Sequence, residues 1–278
     1  MLYHYCSTEG FFNILTSHCI WLSENSCTND RYEMRMLDGV FYKALSNLTE
    51  RGGLVQEQEK QAIACYEGSK MFNFLGCFSK ESNILSQWRN YADDANGFVI
   101  GFDEKLFCAD SNYRLSLDRI NPTGDVDQFF LHDVTYLEKK ESRDLVNQAE
   151  EWILKRQNND FFEHIFFGKH ASFREEKEVR LLWLPELNGN IESVIFKKKN
   201  NDFLSKIHFR TSRDKIIPYV EFPFSKESVK EIIIGPKNKM NPDTVALKMF
   251  LLNNGYNLFN KKQDAKGVVI TRFDSPYV

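Results

Sequence analysis

The sequence lacks the marks of several protein classes. None of its apolar runs approaches the ~20 residues that a membrane-spanning helix needs. Its first ten residues, MLYHYCSTEG, have neither the basic start nor the apolar middle of a signal peptide. The formal net charge is only −3, so composition provides no general attraction to nucleic acids or membrane surfaces. We therefore expect a cytoplasmic protein with no membrane partner.

Cysteine is present, but not in the spacing of a metal or redox site. None of the six cysteines forms a CxxC pair, and all of them precede the middle of the chain: Cys6, Cys19, Cys27, Cys65, Cys77 and Cys108. A chain of 278 residues can bury a large core without disulfides. We therefore expect thiols, and the spacing argues against a structural zinc site.

The common enzyme signatures are missing as well. The sequence contains no GxGxxG, no P-loop lysine motif, no GxSxG and no HExxH. These absences argue against the usual Rossmann, P-loop, hydrolase and zinc-protease sites. Any functional prediction must therefore rest on individual residues and on their order along the chain.

The residues that are present predict one domain over 1–278. Hydrophobic residues make up 42% of the chain, and no linker rich in proline, glycine or serine divides it. Short strand-like segments alternate with helical patterns without a regular βαβ order, which predicts an α+β fold with a largely antiparallel sheet flanked by helices. The patterns at about 33–68 and 140–168 are predicted to be helical insertions.

The stretch FREEKEVRLLWL, residues 173–184, is the densest charge cluster beside an apolar run. If 178–184 is a strand, three apolar side chains share one face: Val179, Leu181 and Trp183. Glu178 and Arg180 then share the other face, and Glu176 joins them if the chain is already extended there. Two neighbouring carboxylates perturb each other's pKa and can bind a hydroxyl or stabilise a cationic centre.

A helix end is the alternative interpretation of the same stretch. On a helix, Glu176 and Arg180 would form an ordinary i,i+4 ion pair worth roughly 0.2–0.5 kcal/mol. The spacing alone favours this alternative.

Four other features admit both a structural and a functional interpretation. His4 lies in the aromatic strand LYHY beside Tyr5, where a histidine is more often a core or rim residue than a catalytic one. Ser79 ends a buried strand and is suited to starting a turn, and Asn29-Asp30 is suited to a turn or a helix cap.

The segment QWRNYADDANGF brings three residues with ring-stacking ability together: Trp88, Arg89 and Tyr91. A tryptophan and an arginine can stack on a planar base or ring. The structural alternative is a core tryptophan beside a surface cation.

The order of these motifs resembles a known family. The segments LYHY, EGFFNIL, IWLS and TNDRYE precede CFSK and QWRNYADDANGFVIGFD, which precede KHASFREEKEVRL, EIIIGPK and a late SPY. This order resembles the bacterial domain-of-unknown-function family 2971 over nearly the whole chain. That resemblance implies no activity, because the family is named for lacking one.

A more distant resemblance is to the ADP-ribosyltransferase superfamily. A histidine on the first strand, a helix with the segment NIL, an Asn-Asp turn and a late strand led by glutamate are similar to that superfamily. The resemblance implies an ADP-ribosyltransferase-like split sheet. It implies that His4 anchors NAD, that Ser79 lines the nicotinamide pocket and that Glu178 stabilises the cationic ribose with Glu176 as its helper.

The same resemblance implies further contacts with NAD. Asn29 and Asp30 would lie near its nicotinamide end, and Trp88 or Tyr91 would stack on one of its rings. The remaining residues predicted to bind the cofactor are Tyr5, Arg89 and Arg180. Of these, Arg180 would keep the carboxylate of Glu178 ionised.

The implied activity is cleavage of the nicotinamide–ribose bond of NAD and transfer of ADP-ribose to a macromolecular acceptor, either protein or nucleic acid. The resemblance suggests a toxin or phage-defence effector with a partner or antitoxin protein. Two alternatives stay open. One is a non-catalytic nucleotide-binding sensor or interaction module of a bacterial defence system. The other is a metal-dependent nuclease that uses Glu176, Glu178 and Asp133.

Overall fold

The structure is a computed structural model. It describes the following residues: 1–27, 34–71, 73–109, 115–116, 128–138, 142–155, 160–184, 206–212, 215–259 and 267–277.

A large mixed sheet organises the described residues. It has eleven strands: β1 (Leu2–Cys6), β2 (Cys19–Glu24), β3 (Phe74–Ser79), β4 (Phe98–Phe102), β5 (Leu115–Ser116), β6 (Gln128–Asp133), β9 (Glu178–Leu184), β10 (His208–Ser212), β11 (Lys215–Pro223), β12 (Val229–Ile234) and β13 (Val269–Arg272). A separate two-stranded sheet contains β7 (Thr135–Leu137) and β8 (Gly168–His170). Most neighbours are antiparallel, whereas β5–β6, β7–β8 and β12–β13 are parallel. The prediction of an α+β fold with a largely antiparallel sheet is confirmed.

Helices lie between the strands. They are α1 (Thr8–Ser17), α2 (Asp38–Glu50), α3 (Gln56–Ser69), α4 (Leu85–Tyr91), α5 (Glu104–Ala109), α6 (Arg143–Lys155), α7 (Asp160–Phe167) and α8 (Val245–Asn253). The segment predicted as a helical insertion at about 33–68 contains α2 and most of α3. The one at about 140–168 contains α6 and α7.

Two expectations from composition can be compared with these elements. Among the helices that the structure describes, none combines the length and the hydrophobicity needed to cross a membrane. The five cysteines whose side chains are described are thiols, as expected: Cys6, Cys19, Cys27, Cys65 and Cys77.

The sheet splits at β3. One edge of β3 pairs with β9 along its whole length, from Phe74 to Ser79. Its other edge is shared, because β2 pairs at Phe74 and Leu75 whereas β1 pairs at Ser79. Within the described residues, the middle of β3, residues 76–78, has no strand partner on that edge. The arm β2–β11–β10 and the arm β1–β4–β12–β13 therefore diverge from one strand.

Each face of the sheet is covered by its own helices. One face, here called the α1 face, packs against α1, α5 and α8 in a single core that includes Phe78, Val179, Leu181 and Trp183. The opposite face, here called the α4 face, is covered in two separate places. Helix α4 covers β1 and β4, and α2, α3, α6 and α7 cover β6 and β9. The α4 face is therefore left open between these two helical layers.

Trp152 of α6 anchors the layer formed by α2, α3, α6 and α7. It is 2% exposed, and its indole lies against a set of neighbouring rings: Phe41, Tyr66, Phe161 and Phe162. Two residues further along α6, Leu154 is 54% exposed. One helix therefore offers a buried position and an exposed position for comparison.

Replacing Trp152 should destabilise the fold much more than replacing Leu154. Truncating a buried tryptophan leaves a cavity and typically costs about 3–5 kcal/mol, so we expect Trp152→Ala to lower the free energy of unfolding by that amount. Leu154→Ala should change it by less than about 1 kcal/mol. Urea unfolding followed by circular dichroism measures both variants, and equal losses would contradict the packing described here.

A candidate ligand-binding cleft

The split of the sheet opens a cleft of about 860 Å3 between β1 and β2. Its floor is the uncovered middle of β3, and its walls come from β1, α1, α4, β2, β10 and the beginning of β9. Ligand sites in proteins are typically concavities of roughly 300–1,000 Å3 at such junctions between structural units. The volume is therefore suitable for a nucleotide-sized molecule.

One wall of the cleft carries four buried charged residues, here called the ionic cluster: Lys169, Glu176, Glu178 and Arg180. The Nζ of Lys169 lies 2.5 Å from Oε2 of Glu176 and 2.7 Å from Oε2 of Glu178. The Nε of Arg180 lies 2.7 Å from Oε1 of Glu178. Another guanidinium nitrogen of Arg180 donates to the carbonyl of Phe166 at 2.6 Å. The two cations and two anions neutralise one another.

The ionic cluster depends on the alternation of β9. Val179, Leu181 and Trp183 point into the core of the α1 face, so Glu178 and Arg180 point to the α4 face, as the strand interpretation predicts. The backbone around Glu178 is fixed as well. Its N–H donates to the Tyr136 hydroxyl at 2.8 Å, and its carbonyl accepts from the N–H of Val134 at 2.9 Å.

Glu176 belongs to the cluster, but its backbone is not in the extended strand conformation considered from the sequence. It ends a 3-10 helix, Ala171–Glu176, and Lys177 follows in the left-handed region with φ 44°. The chain at Glu176 is therefore not extended, and the strand prediction fails at this residue. The helix-end interpretation is right for 171–176, and the strand interpretation is right for 178–184. The sharp reversal at Lys177 brings both carboxylates to the same lysine.

Lys169 is a residue of the cluster for which the sequence predicted no role. It lies on β8, directly after α7, and Gly168 precedes it. A Cβ on Gly168 would lie 2.4 Å from the carbonyl oxygen of His164, so only glycine permits this close turn into β8. The motif KHASFREEKEVRL, which carries the family resemblance, begins at Lys169. That position was the one signal in the sequence that could have identified it.

Burial and charge act in opposite directions on the cluster. Burial alone would raise the pKa of Glu178, but the charges of Arg180 and Lys169 and their hydrogen bonds lower it to about 2. Burial alone would lower the pKa of Lys169, but the two carboxylates hold it well above its usual value. Burial raises the pKa of Glu176, and Lys169 opposes this shift. At neutral pH, Glu178 is therefore the firmly ionised carboxylate of the cleft.

His4 faces the cleft from β1. Its Nδ1 lies 3.0 Å from the carbonyl oxygen of Cys77, in the part of β3 that has no strand partner. A carbonyl oxygen only accepts hydrogen bonds, so Nδ1 carries the proton and Nε2 is an acceptor. Burial lowers the pKa of His4 despite this hydrogen bond, so the ring is neutral at pH 7. His4 thus caps the split and offers one acceptor to the cleft.

The predicted site residues separate into two sets. Those that line the cleft are His4, Tyr5, Glu176 and Glu178, together with Tyr91 of α4. Ser79, Trp88, Arg89 and Arg180 do not line it. The first of these, Ser79, is 1% exposed and donates to the carbonyl of Glu176 at 2.7 Å. Ser79 therefore helps to position the backbone at Glu176 and does not contact a ligand in the cleft.

Trp88 and Arg89 have other neighbours. Trp88 is fully buried, stacks on Phe273 and donates from Nε1 to the carbonyl of Ser82, so it offers no surface to a ligand. The guanidinium of Arg89 lies over the ring of Tyr277 at 5.7 Å. Arg180 is fully buried behind Glu178. The predicted residues Asn29 and Asp30 lie outside the described residues.

The acidic residues do not form a metal cluster in the part of the chain that the structure describes. No group of three or more histidine, cysteine, aspartate or glutamate side chains there is arranged to hold an ion. Asp133, the third acid of the nuclease alternative, pairs with Lys80 and is not among the cleft residues. Lys169 and Arg180 instead neutralise Glu176 and Glu178.

Comparison with known proteins identifies one family in this region. Residues 87–181 match the family model described as protein of unknown function DUF2971. The match spans about a third of the chain and supports the predicted resemblance to that family. It includes Tyr91 and the whole ionic cluster. No curated protein and no solved structure matches the chain significantly. The resemblance to ADP-ribosyltransferases stays a prediction.

Removing the cation of Lys169 should strongly destabilise the protein. Lys169→Met leaves two buried carboxylates with only Arg180 to compensate them, and breaking a buried ion pair from one side typically costs about 3–5 kcal/mol. The matched control is Lys155→Met, because Lys155 is exposed and pairs only with Glu151. We expect the control to cost less than about 1 kcal/mol. Urea unfolding at neutral pH measures both, and similar losses would refute the structural role of Lys169.

Acid should weaken the fold through Glu178. The pKa of this carboxyl is about 2 in the folded protein and has its usual value of 4.5 when unfolded, so its stabilising effect is complete above pH 4.5 and disappears as the pH falls towards 2. The difference in unfolding free energy between the wild type and Glu178→Gln should therefore shrink over this range. A difference that is constant or grows on acidification would contradict the assignment. The exposed neighbour, in Glu175→Gln, is the control and should show no such trend.

Proposed function

We propose that the protein is an ADP-ribosyltransferase-like enzyme that cleaves the nicotinamide–ribose bond of NAD. The observation that carries this proposal is the ionised, immobilised Glu178 in the wall of a nucleotide-sized cleft that also contains His4 and Tyr91. The split of the sheet between β1 and β2 and the position of Glu178 at the head of a late strand support it. The fold assignment to that superfamily is part of the proposal.

The chemistry requires a fixed negative charge beside the ribose. When the bond between ribose C1′ and the nicotinamide nitrogen breaks, the electron pair leaves with neutral nicotinamide and positive charge develops on the ribose. A preorganised carboxylate stabilises this charge in a site that excludes water. An acceptor nucleophile then bonds to C1′ and releases its proton. Glu178 is suited to this task because Lys169 and Arg180 fix its carboxylate before substrate arrives.

The other cleft residues are suited to binding rather than to proton transfer. The Nε2 of His4 can accept a hydrogen bond from a ribose hydroxyl, because its Nδ1 is committed to Cys77. The ring of Tyr91, which is 40% exposed, can stack on nicotinamide or adenine. Ring stacking was predicted for Trp88 or Tyr91, and in this proposal Tyr91 takes that role.

The proposal extends to biological role through the resemblance alone. An enzyme of this type transfers ADP-ribose to a protein or nucleic-acid acceptor. The resemblance suggests a toxin or a phage-defence effector with a partner or antitoxin protein. We propose the same setting here, with a cytoplasmic location.

Replacing Glu178 by glutamine should abolish most of the activity. Loss of one preorganised electrostatic group typically slows a reaction about 10²–10³-fold, so we expect that decrease in nicotinamide release from labelled NAD for Glu178→Gln. The matched control is Glu175→Gln, an exposed glutamate of the same segment that does not line the cleft. It should retain wild-type turnover.

A folding defect must be separated from a catalytic one. Thermal unfolding of Glu178→Gln establishes that the variant is folded at the assay temperature. Tyr91→Ala provides a second variant, since Tyr91 is at the surface of α4 and its truncation should raise KM without unfolding the protein. Folded Glu178→Gln with unchanged nicotinamide release would sink the proposal.

A second candidate is a non-catalytic nucleotide-binding module. One observation favours it, because each carboxylate oxygen of Glu178 already has a cationic partner. The negative charge of such a paired carboxylate stabilises a cationic ligand less than the charge of an unpaired carboxylate would. Calorimetry that shows nucleotide binding by the wild type, with no release of nicotinamide from NAD, would establish this candidate instead.

A further inference from the structure

The far end of the cleft carries donors that no step above uses. Trp21 and Ser23 of β2 line it together with Arg210 of β10. The register places all three on the α4 face, because Ser23 lies opposite Leu75 of β3 and Tyr219 of β11, and Tyr219 lies opposite His208. They therefore belong to the same continuous wall as Glu178.

Two of these donors are buried without an acceptor. Within the described part of the chain, Nε1 of Trp21 and Nε of Arg210 have no hydrogen-bond partner. A terminal nitrogen of Arg210 donates to the Ser23 hydroxyl at 3.0 Å, and the indole of Trp21 lies 4.6 Å from the Tyr219 ring. Leaving a buried donor without an acceptor is costly, and two such donors side by side suggest that a ligand supplies the acceptor.

Arg210 also lacks a countercharge among the described residues. Its guanidinium forms no salt bridge there, in contrast to the paired Arg180 at the other end of the cleft. Glu221 is an acid of the same face, opposite Trp21 on β11, yet it forms no ion pair with Arg210. Arginine and indole N–H groups only donate, so the group that satisfies them must accept, and the positive charge favours an anion.

We propose that Trp21, Ser23 and Arg210 form a phosphate subsite for the nucleotide substrate. This inference rests on the proposed function for the identity of the substrate, and it assigns the pyrophosphate of that substrate to the β2–β10 end of the cleft. The ribose and nicotinamide then extend along the floor towards His4 and Glu178. A planar guanidinium presents its N–H donors as a rigid fork that matches two phosphate oxygens, a geometry that the ammonium of lysine lacks.

Occupation of the subsite involves a movement of Arg210. The Nε of Arg210 and the Nε1 of Trp21 are enclosed by the protein, so a phosphate reaches them only when the arginine rotates about its side-chain bonds. Arg210 is partly exposed on β10, and its guanidinium donates a hydrogen bond to the hydroxyl of Ser23. Rotation exchanges that hydrogen bond, whose acceptor is a neutral hydroxyl, for hydrogen bonds in which the donor and the acceptor are both charged.

Calorimetry with inorganic pyrophosphate tests the subsite without relying on turnover. Arg210→Gln should raise the Kd for pyrophosphate about 10–100-fold, because charged hydrogen bonds contribute about 1.5–3 kcal/mol each. Trp21→Phe keeps an aromatic ring at this position but removes the Nε1–H donor, and it should raise Kd about 3–10-fold. The control is Arg51→Gln, which removes an equal charge directly after α2, outside the cleft, and should leave Kd unchanged.

Adenosine serves as the ligand without phosphate. Its Kd should be the same for the wild type and Arg210→Gln, and thermal unfolding should show both proteins folded. Pyrophosphate binding that is absent, or that is equally strong in folded Arg210→Gln and Arg51→Gln, would overturn the subsite. Pyrophosphate binding that depends on Arg210, in a protein that leaves NAD intact, would retain the subsite and overturn only the proposed NAD cleavage.

Discussion

The pairing of Glu178 with Lys169 and Arg180 is the interaction on which the site depends. Burying a single carboxylate among aromatic side chains is costly, and two carboxylates would cost more. The two cations remove that cost and hold each oxygen of Glu178 in a defined position. The pairing also joins two separate sheets, because Lys169 lies on β8 of the two-stranded sheet whereas Glu178 and Arg180 lie on β9 of the large sheet. Charge, position and local fold are therefore set by the same contacts.

The second constraint is the uncovered edge of β3. A sheet edge exposes carbonyl and N–H groups that need partners. At the split, the carbonyl of Cys77 has a side chain rather than a strand as its partner, because His4 donates a hydrogen bond to it. The same absence of a neighbouring strand creates the space of the cleft. His4, which hydrogen-bonds to this edge, is therefore also a residue of the cleft wall.

Periodicity explains how much of this could be predicted from the sequence. The spacing alone favoured a helix end, but once the order of motifs indicated a strand at 178–184, its period of two placed Glu178 and Arg180 on the face opposite Val179. The irregular order of strand-like and helical segments was sufficient to predict the α+β class. The turn at Lys177 was not predictable, because a left-handed non-glycine residue leaves no pattern in hydrophobicity. Glu176 consequently reached the expected place by an unexpected backbone route.

Residues whose role depends on tertiary contacts were not predictable in the same way. Lys169 joins the cluster only because β8 pairs with β7, a short parallel pairing that follows from no local signal. Trp88 has a ring that could stack on a ligand, but it is buried against Phe273, which is far away in the sequence. Arg210 lies on β10, and its relation to the cleft is fixed by two successive strand pairings.

The position of β1 in the sheet has a consequence for synthesis of the chain. Among the described strands β1 is translated before the others, yet it lies in the interior of the sheet between β3 and β4, and its cleft is completed by β9 and β10. Domains dominated by such distant pairings form late, when most of the polypeptide is available. A nascent or truncated chain that ends before β10 therefore has no complete cleft. Any activity that requires the complete cleft begins only after β10 has been translated.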